Sequence, residues 1–142
     1  MPTRETVTHS ELILAHNSSI STNTTTNGAI IDTKDADGGV SFYLGAAAYT
    51  DGTFKLVIKE GDDSGLSDAT TVGSTKLVEA STATGAVTTG ISAITADLDA
   101  FSKVAVHSTK RFLRPQIVST GTSSGATIDV LAQLTKEVQP VG

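Results

Sequence analysis

The chain contains no cysteine and no tryptophan, only three prolines, four phenylalanines and two tyrosines, and 18% charged residues. Without cysteine, disulfides and thiolate metal sites are excluded, and the redox compartment is left open. Without tryptophan, a sugar-binding platform lacks its usual residue. Phe42, Tyr43, Tyr49, Phe54, Phe101 and Phe112 are scattered over predicted strands and read as core or interface anchors rather than a base-stacking surface. No apolar run approaches the roughly 18 residues of a membrane span, and no apolar segment follows Met-Pro-Thr-Arg-Glu at the start. The expectation is a protein made and kept in water, with no membrane partner. Basic residues are also scarce. Ten Lys and Arg face 15 Asp and Glu, for a formal charge of −5 and a pI near 5.0. That balance argues against a nucleic-acid partner, because such domains spend cations on phosphate neutralisation.

What is present favours sheet. Ser and Thr make up about a quarter of the 142 residues, beside 13 Gly, while Leu, Glu, Lys and Arg are sparse. Threonine is β-branched and suits a half-exposed strand, and apart from alanine the best helix formers are the ones in short supply. The length fits one domain able to bury a core without covalent staples.

Residues 1–27 are polar, with a first strand around Leu12-Ile13-Leu14 and then a Ser/Thr/Asn tract that is either a loop, a weak edge strand or part of a mobile N-terminal arm. Residues 28–142 carry the predicted β-sandwich. Val40, Phe42 and Leu44 alternate with polar positions, as do Phe54, Leu56 and Ile58 with Lys55, Val57 and Lys59, which predicts an antiparallel hairpin of 40–46 with 53–60. Thr70-Thr71-Val72, 76–79 and 86–88 are weaker strand candidates. A helix of two turns at most is allowed near residues 95–101, with Thr95 as N-cap. Later strands are predicted at 103–107, 111–120 and 127–134, the last two joined by a hairpin loop at Gly121-Thr122-Ser123-Ser124-Gly125. Pro115 places the 111–120 strand at an edge or at a bulge. Several short strands without a βαβ rhythm predict an all-β protein, a β-sandwich of jelly-roll type.

Each candidate site competes with a plainer reading. Residues 121–125 fit the G-x-S-x-G pattern with Ser123 in the nucleophile position, but an alternating β run follows where that motif needs a helix, so a loop is expected and no catalysis. His9, His16 and His107 lack metal-ligand spacing. Asp32, Asp35 and Asp37, or Asp62-Asp63, offer carboxylates for calcium, yet the EF-hand pattern fails with Thr33 first and Leu44 last, and solvated turns are expected without metal or cofactor. The sequons at Asn17 and Asn23 are read as products of composition. Lys103, Lys110, Arg111 and Arg114 form a stretch free of acids, either a docking face for an acidic partner or charges that guard an exposed edge strand.

The stretches Ile31-Asp32-Thr33-Lys34, Val40-Ser41-Phe42-Tyr43-Leu44-Gly45, Asp51-Gly52-Thr53-Phe54, Lys59-Glu60-Gly61-Asp62-Asp63-Ser64-Gly65 and Lys110-Arg111-Phe112-Leu113-Arg114 resemble those of small capsid decoration, or cement, proteins of tailed phages. The resemblance covers roughly residues 28–65 and 103–134. It implies a jelly-roll or sandwich protein without catalytic residues that sits on the virion exterior after synthesis in the host cytoplasm. It further implies the major capsid protein as partner and self-association as a dimer or trimer. A tail, baseplate or fibre component, a ligand-binding sandwich module and a hydrolase using Ser123 remain the alternatives at this point.

Overall fold

Eleven strands are divided between two antiparallel sheets among the described residues, which in this computed structural model are 10–34, 36, 39–73, 77–81, 90–98 and 101–135. They are β1 (Ser10–Ile20), β2 (Thr24–Asn27), β3 (Ile31–Asp32), β4 (Val40–Ala47), β5 (Thr53–Gly61), β6 (Thr70–Thr71), β7 (Leu77–Ser81), β8 (Gly90–Ile94), β9 (Ser102–Val106), β10 (Phe112–Thr120) and β11 (Ala126–Thr135). The first sheet runs β1-β11-β4-β9-β7. The second runs β2-β10-β5-β6, with β3 also on β10 and β8 also on β5. Early strands thus lie beside late ones, β1 and β4 flanking β11, and β2/β3 and β5 flanking β10. That is the strand order of a jelly roll, two sheets wrapped from one long folded ribbon.

Period-two alternation turns one apolar face of each strand to the space between the sheets. Val40, Phe42, Leu44 and Ala46 on β4 and Ile128, Val130, Ala132 and Leu134 on β11 line one side. Phe54, Leu56 and Ile58 on β5 and Leu113 and Ile117 on β10 line the other, and all belong to one core. A fully buried side chain of this size contributes roughly 1.5–3 kcal/mol of transfer free energy, so this layer supplies the main driving force.

Both predicted hairpins are corrected. β4 and β5 lie in opposite sheets and face each other across the core, and so do β10 and β11. Alternation tells which face of a strand is buried, and in a sandwich two consecutive strands satisfy it equally well by pairing or by facing one another. The expected helix is also absent: residues 95–98 form no helix, and residues 99–100 lie outside the described residues. The backbone there is recruited by β4 instead. Leu98 N–H donates to the Ala46 carbonyl, and Asp97 Oδ1 accepts from Tyr49 N–H at 2.7 Å.

Pro115 does not mark an edge. β10 is central in the second sheet, with β5 on one side and β2 and β3 on the other. The Pro115 carbonyl accepts from Gly28 N–H, so the missing donor points to the same side, into the interruption between β2 and β3. A ladder gap there leaves no acceptor wanting. The adjoining Ala29 N–H reaches the Ala15 carbonyl, at the register shift in β1 between Leu14 and His16, and ties the two sheets together. Residues 10–20 and 24–27 are accordingly strands of the sandwich rather than a free arm, while residues 1–9 and the predicted strand at 86–88 lie outside the described residues.

Candidate interaction surfaces

The G-x-S-x-G segment is a crossing between sheets, held by an acid from another crossing. Asp51 lies in the β4–β5 passage, and its Oδ1 accepts from the backbone N–H groups of Ser123, Ser124 and Gly125 at 3.1, 3.0 and 2.8 Å. Ser123 Oγ donates to Asp51 Oδ2 at 2.6 Å. The Ser123 hydroxyl, followed by these N–H groups, holds the Asp51 carboxyl well below the ordinary carboxylate range. A cradle of successive N–H groups that would suit an oxyanion is therefore filled by the protein's own carboxylate. Gly125 makes the fit possible. It has φ +77°, and a Cβ there would run into the Ile20 carbonyl.

The acids of the exposed turns are likewise engaged by the chain's own donors. Asp32 receives both Nε and Nη2 of Arg111, at 3.0 and 2.9 Å, a bidentate pair that, with the Lys34 N–H, lowers its pKa to about 2. Asp62 pairs with Lys110 Nζ at 2.8 Å, which raises the lysine's pKa. Asp63 accepts from the N–H groups of Gly65 and Ser67, and Asp68 from those of Asp62 and Asp63; these bonds depress both carboxyls. Among the described residues no cluster of three metal-ligating side chains occurs, and Asp35 and Asp37 lie outside them. Beneath the Asp62–Lys110 pair, the buried Glu60 accepts from Ser108 Oγ.

His16 and His107 sit on strand β1 and just after β9, with β11 and β4 between those strands. His16 has its pKa lowered by partial burial against the opposing influence of Asp129, while His9 lies outside the described residues.

The four predicted docking residues do not share one face. Lys103, on β9 of the first sheet, rests over the Tyr43 ring with its ammonium 5.5 Å from the centroid. Lys110 and Arg111 are neutralised in the β9–β10 loop by Asp62 and Asp32. Arg114 alone belongs to the outer face of the second sheet, on β10 directly opposite Lys59 of β5.

The outer face of the first sheet has no prominence in the sequence, yet it carries three of the four exposed large hydrophobic side chains among the described residues. Leu12 and Leu14 on β1 are 64% and 59% exposed and Phe101 is 44% exposed. Leu14 lies opposite Leu131, which lies opposite Tyr43, so the three strands build one continuous surface. Leu12, Tyr43, Phe101, Leu131 and Gln133 enclose a shallow hollow of about 240 Å³. Tyr43 donates to Gln133 Oε1 at 2.6 Å and is fixed by it. Phe101 lies over Gly45, where a Cβ would come within 2.8 Å of its ring. The available signal was Leu12 and Leu14 at an i, i+2 spacing, both on the same strand face. No family model matches the chain, and no curated protein matches it.

Proposed function

We propose that this protein is a virion structural protein, a decoration or cement protein that binds the outer face of a phage head through its major capsid protein and stabilises it. The observation that carries the reading is the exposed apolar surface of Leu12, Leu14, Tyr43, Phe101 and Leu131 on the outer face of the first sheet. A contiguous apolar patch on a sheet face is a protein-contact surface. The rigid two-sheet body behind it suits a part that must resist shear between neighbouring subunits. The resemblance of residues 28–65 and 103–134 to phage decoration proteins is what points to the major capsid protein as the partner.

The test is sedimentation with heads of the tailed phage that carries the gene. Saturable binding is expected, with a raised disruption temperature of the heads. The double variant Leu12→Asp/Leu14→Asp should bind at least about tenfold more weakly with an unchanged melting temperature, since both side chains are largely solvated in the free protein. Binding to tails but not to heads would instead favour a tail or baseplate component.

A further inference from the structure

We infer that the outer face of the second sheet is a separate docking surface for an acidic polypeptide segment, centred on the opposed cations Lys59 and Arg114. Lys59 and Arg114 are register partners on β5 and β10, and Lys55 lies two residues further out from Val57 on the same face. Like charges directly opposite on neighbouring strands weaken a sheet. Here nothing relieves them: among the described residues none of the three has an acidic partner. Lys59 Nζ finds only the neutral Thr71 hydroxyl at 2.6 Å, and the buried Arg114 Nε has no hydrogen-bond partner at all.

A shortage of acids does not explain this, since the chain has 15 Asp and Glu against 10 Lys and Arg. A few residues away, Arg111 and Lys110 each have their carboxylate. Cations left unpaired in an acidic protein form a local positive field that an external anion complements.

The layout selects a polypeptide. Lys55 and Lys59 are four residues apart on one strand, hence roughly 13 Å at 3.3 Å per residue, with Val57 between them and Val118 opposite Lys55. An extended segment with widely spaced carboxylates matches that spacing. Double-stranded DNA carries a charge about every 1.7 Å of its axis, far denser than the spacing of these lysines. The inference goes beyond the capsid reading and stands with any acidic partner.

The experiment titrates a fluorescein-labelled peptide of about nine residues, with a glutamate at every fourth position, against the full chain, by anisotropy, at low and then physiological salt. Salt-sensitive binding is expected, weakened about tenfold by Lys59→Glu and by Arg114→Glu, and little changed by Lys34→Glu, an equal charge change on an exposed turn. Lys59→Glu should also raise the melting temperature, because it replaces an opposed cation pair by an attractive one. A merely structural lysine would lower it. The inference is overturned if Lys34→Glu weakens binding as much as Lys59→Glu, if neither face variant affects it, or if duplex DNA or polyphosphate binds the same residues at least as tightly. No phage head enters the measurement, so its failure is distinct from failure of the capsid reading.

Discussion

Ser123 Oγ donates a 2.6 Å hydrogen bond to Asp51 Oδ2, and this pair joins two of the passages, β4 to β5 and β10 to β11, in which the chain crosses from one sheet to the other. Thr50 N–H adds a bond to the Gly125 carbonyl at 2.8 Å. The crossings lie side by side at one end of the sandwich and close it.

Ser123→Ala should therefore lower stability by about 1 kcal/mol, the net value of one such hydrogen bond. Asp51→Ala should lower it more, since it also strips the acceptor from three backbone donors. Thermal unfolding of the two variants checks the order. If Ser123→Ala were as stable as the parent, the bond would have no structural weight.

Two glycines of the same loop separate strain from collision. Gly121 has φ +63° with nothing within 4 Å of where an alanine methyl group would sit, whereas at Gly125, φ +77°, that methyl group would overlap the Ile20 carbonyl. Gly121→Ala should cost about 1 kcal/mol, the left-handed penalty alone. Gly125→Ala should cost at least about twice that, because the Ile20–Ser21 backbone must also move. Denaturant midpoints at unchanged slope provide the comparison.

Acid should loosen the crossings and the Arg111 turn. A carboxylate whose folded-state pKa lies below its unfolded value stabilises the fold above the unfolded value and loses that contribution as the pH falls through the folded one. For Asp32 the window runs from its ordinary 3.8 down to about 2; for Asp51 the direction is the same and the loss extends lower. From these acids stability should fall between about pH 4 and pH 2, below a shallower loss that begins near pH 6.5, where the lowered pKa of His16 lets the unfolded chain bind the extra proton. Asp32→Asn and Asp51→Asn should each reduce the slope of that fall in unfolding curves taken between these limits, and parental slopes in both would exclude the two acids as its source.

The core should respond as a close-packed layer. Phe54 is fully buried and meets the Tyr49 ring edge-on at 6.4 Å between centroids, while Tyr49 donates its hydroxyl to the Gly52 carbonyl at 2.6 Å. Phe54→Ala should cost about 3–5 kcal/mol through lost transfer energy and a residual cavity. Chemical denaturation measures it, and a loss below about 1 kcal/mol would mean that the two sheets close over the gap.

The alternation in 40–46, 53–60 and 127–134 was legible in the sequence because a period of two needs only local steric rules, and the buried faces of β4, β5 and β11 follow it. Val57 departs from it: only 8% exposed on the outer face between Lys55 and Lys59, it shows that the outer surface of the second sheet is not uniformly wet. The basic stretch was legible as composition but not as a surface. Lys110 and Arg111 find acids distant in sequence, and Lys59, which the stretch omits, comes to lie beside Arg114 through strand pairing.

The sequence by itself determined that this chain is a sheet protein with an apolar layer inside, because residue type and period act within a few residues of one another. Only the tertiary structure decided that β4 and β5, and β10 and β11, face rather than pair, that Pro115 sits centrally beside a ladder gap, and that Ser123 serves Asp51. Those outcomes depend on the direction in which a short loop leaves its strand and on contacts between residues far apart in the chain, 72 positions in the case of Asp51 and Ser123. Such contacts are selected by packing the whole sandwich, and no local pattern encodes them.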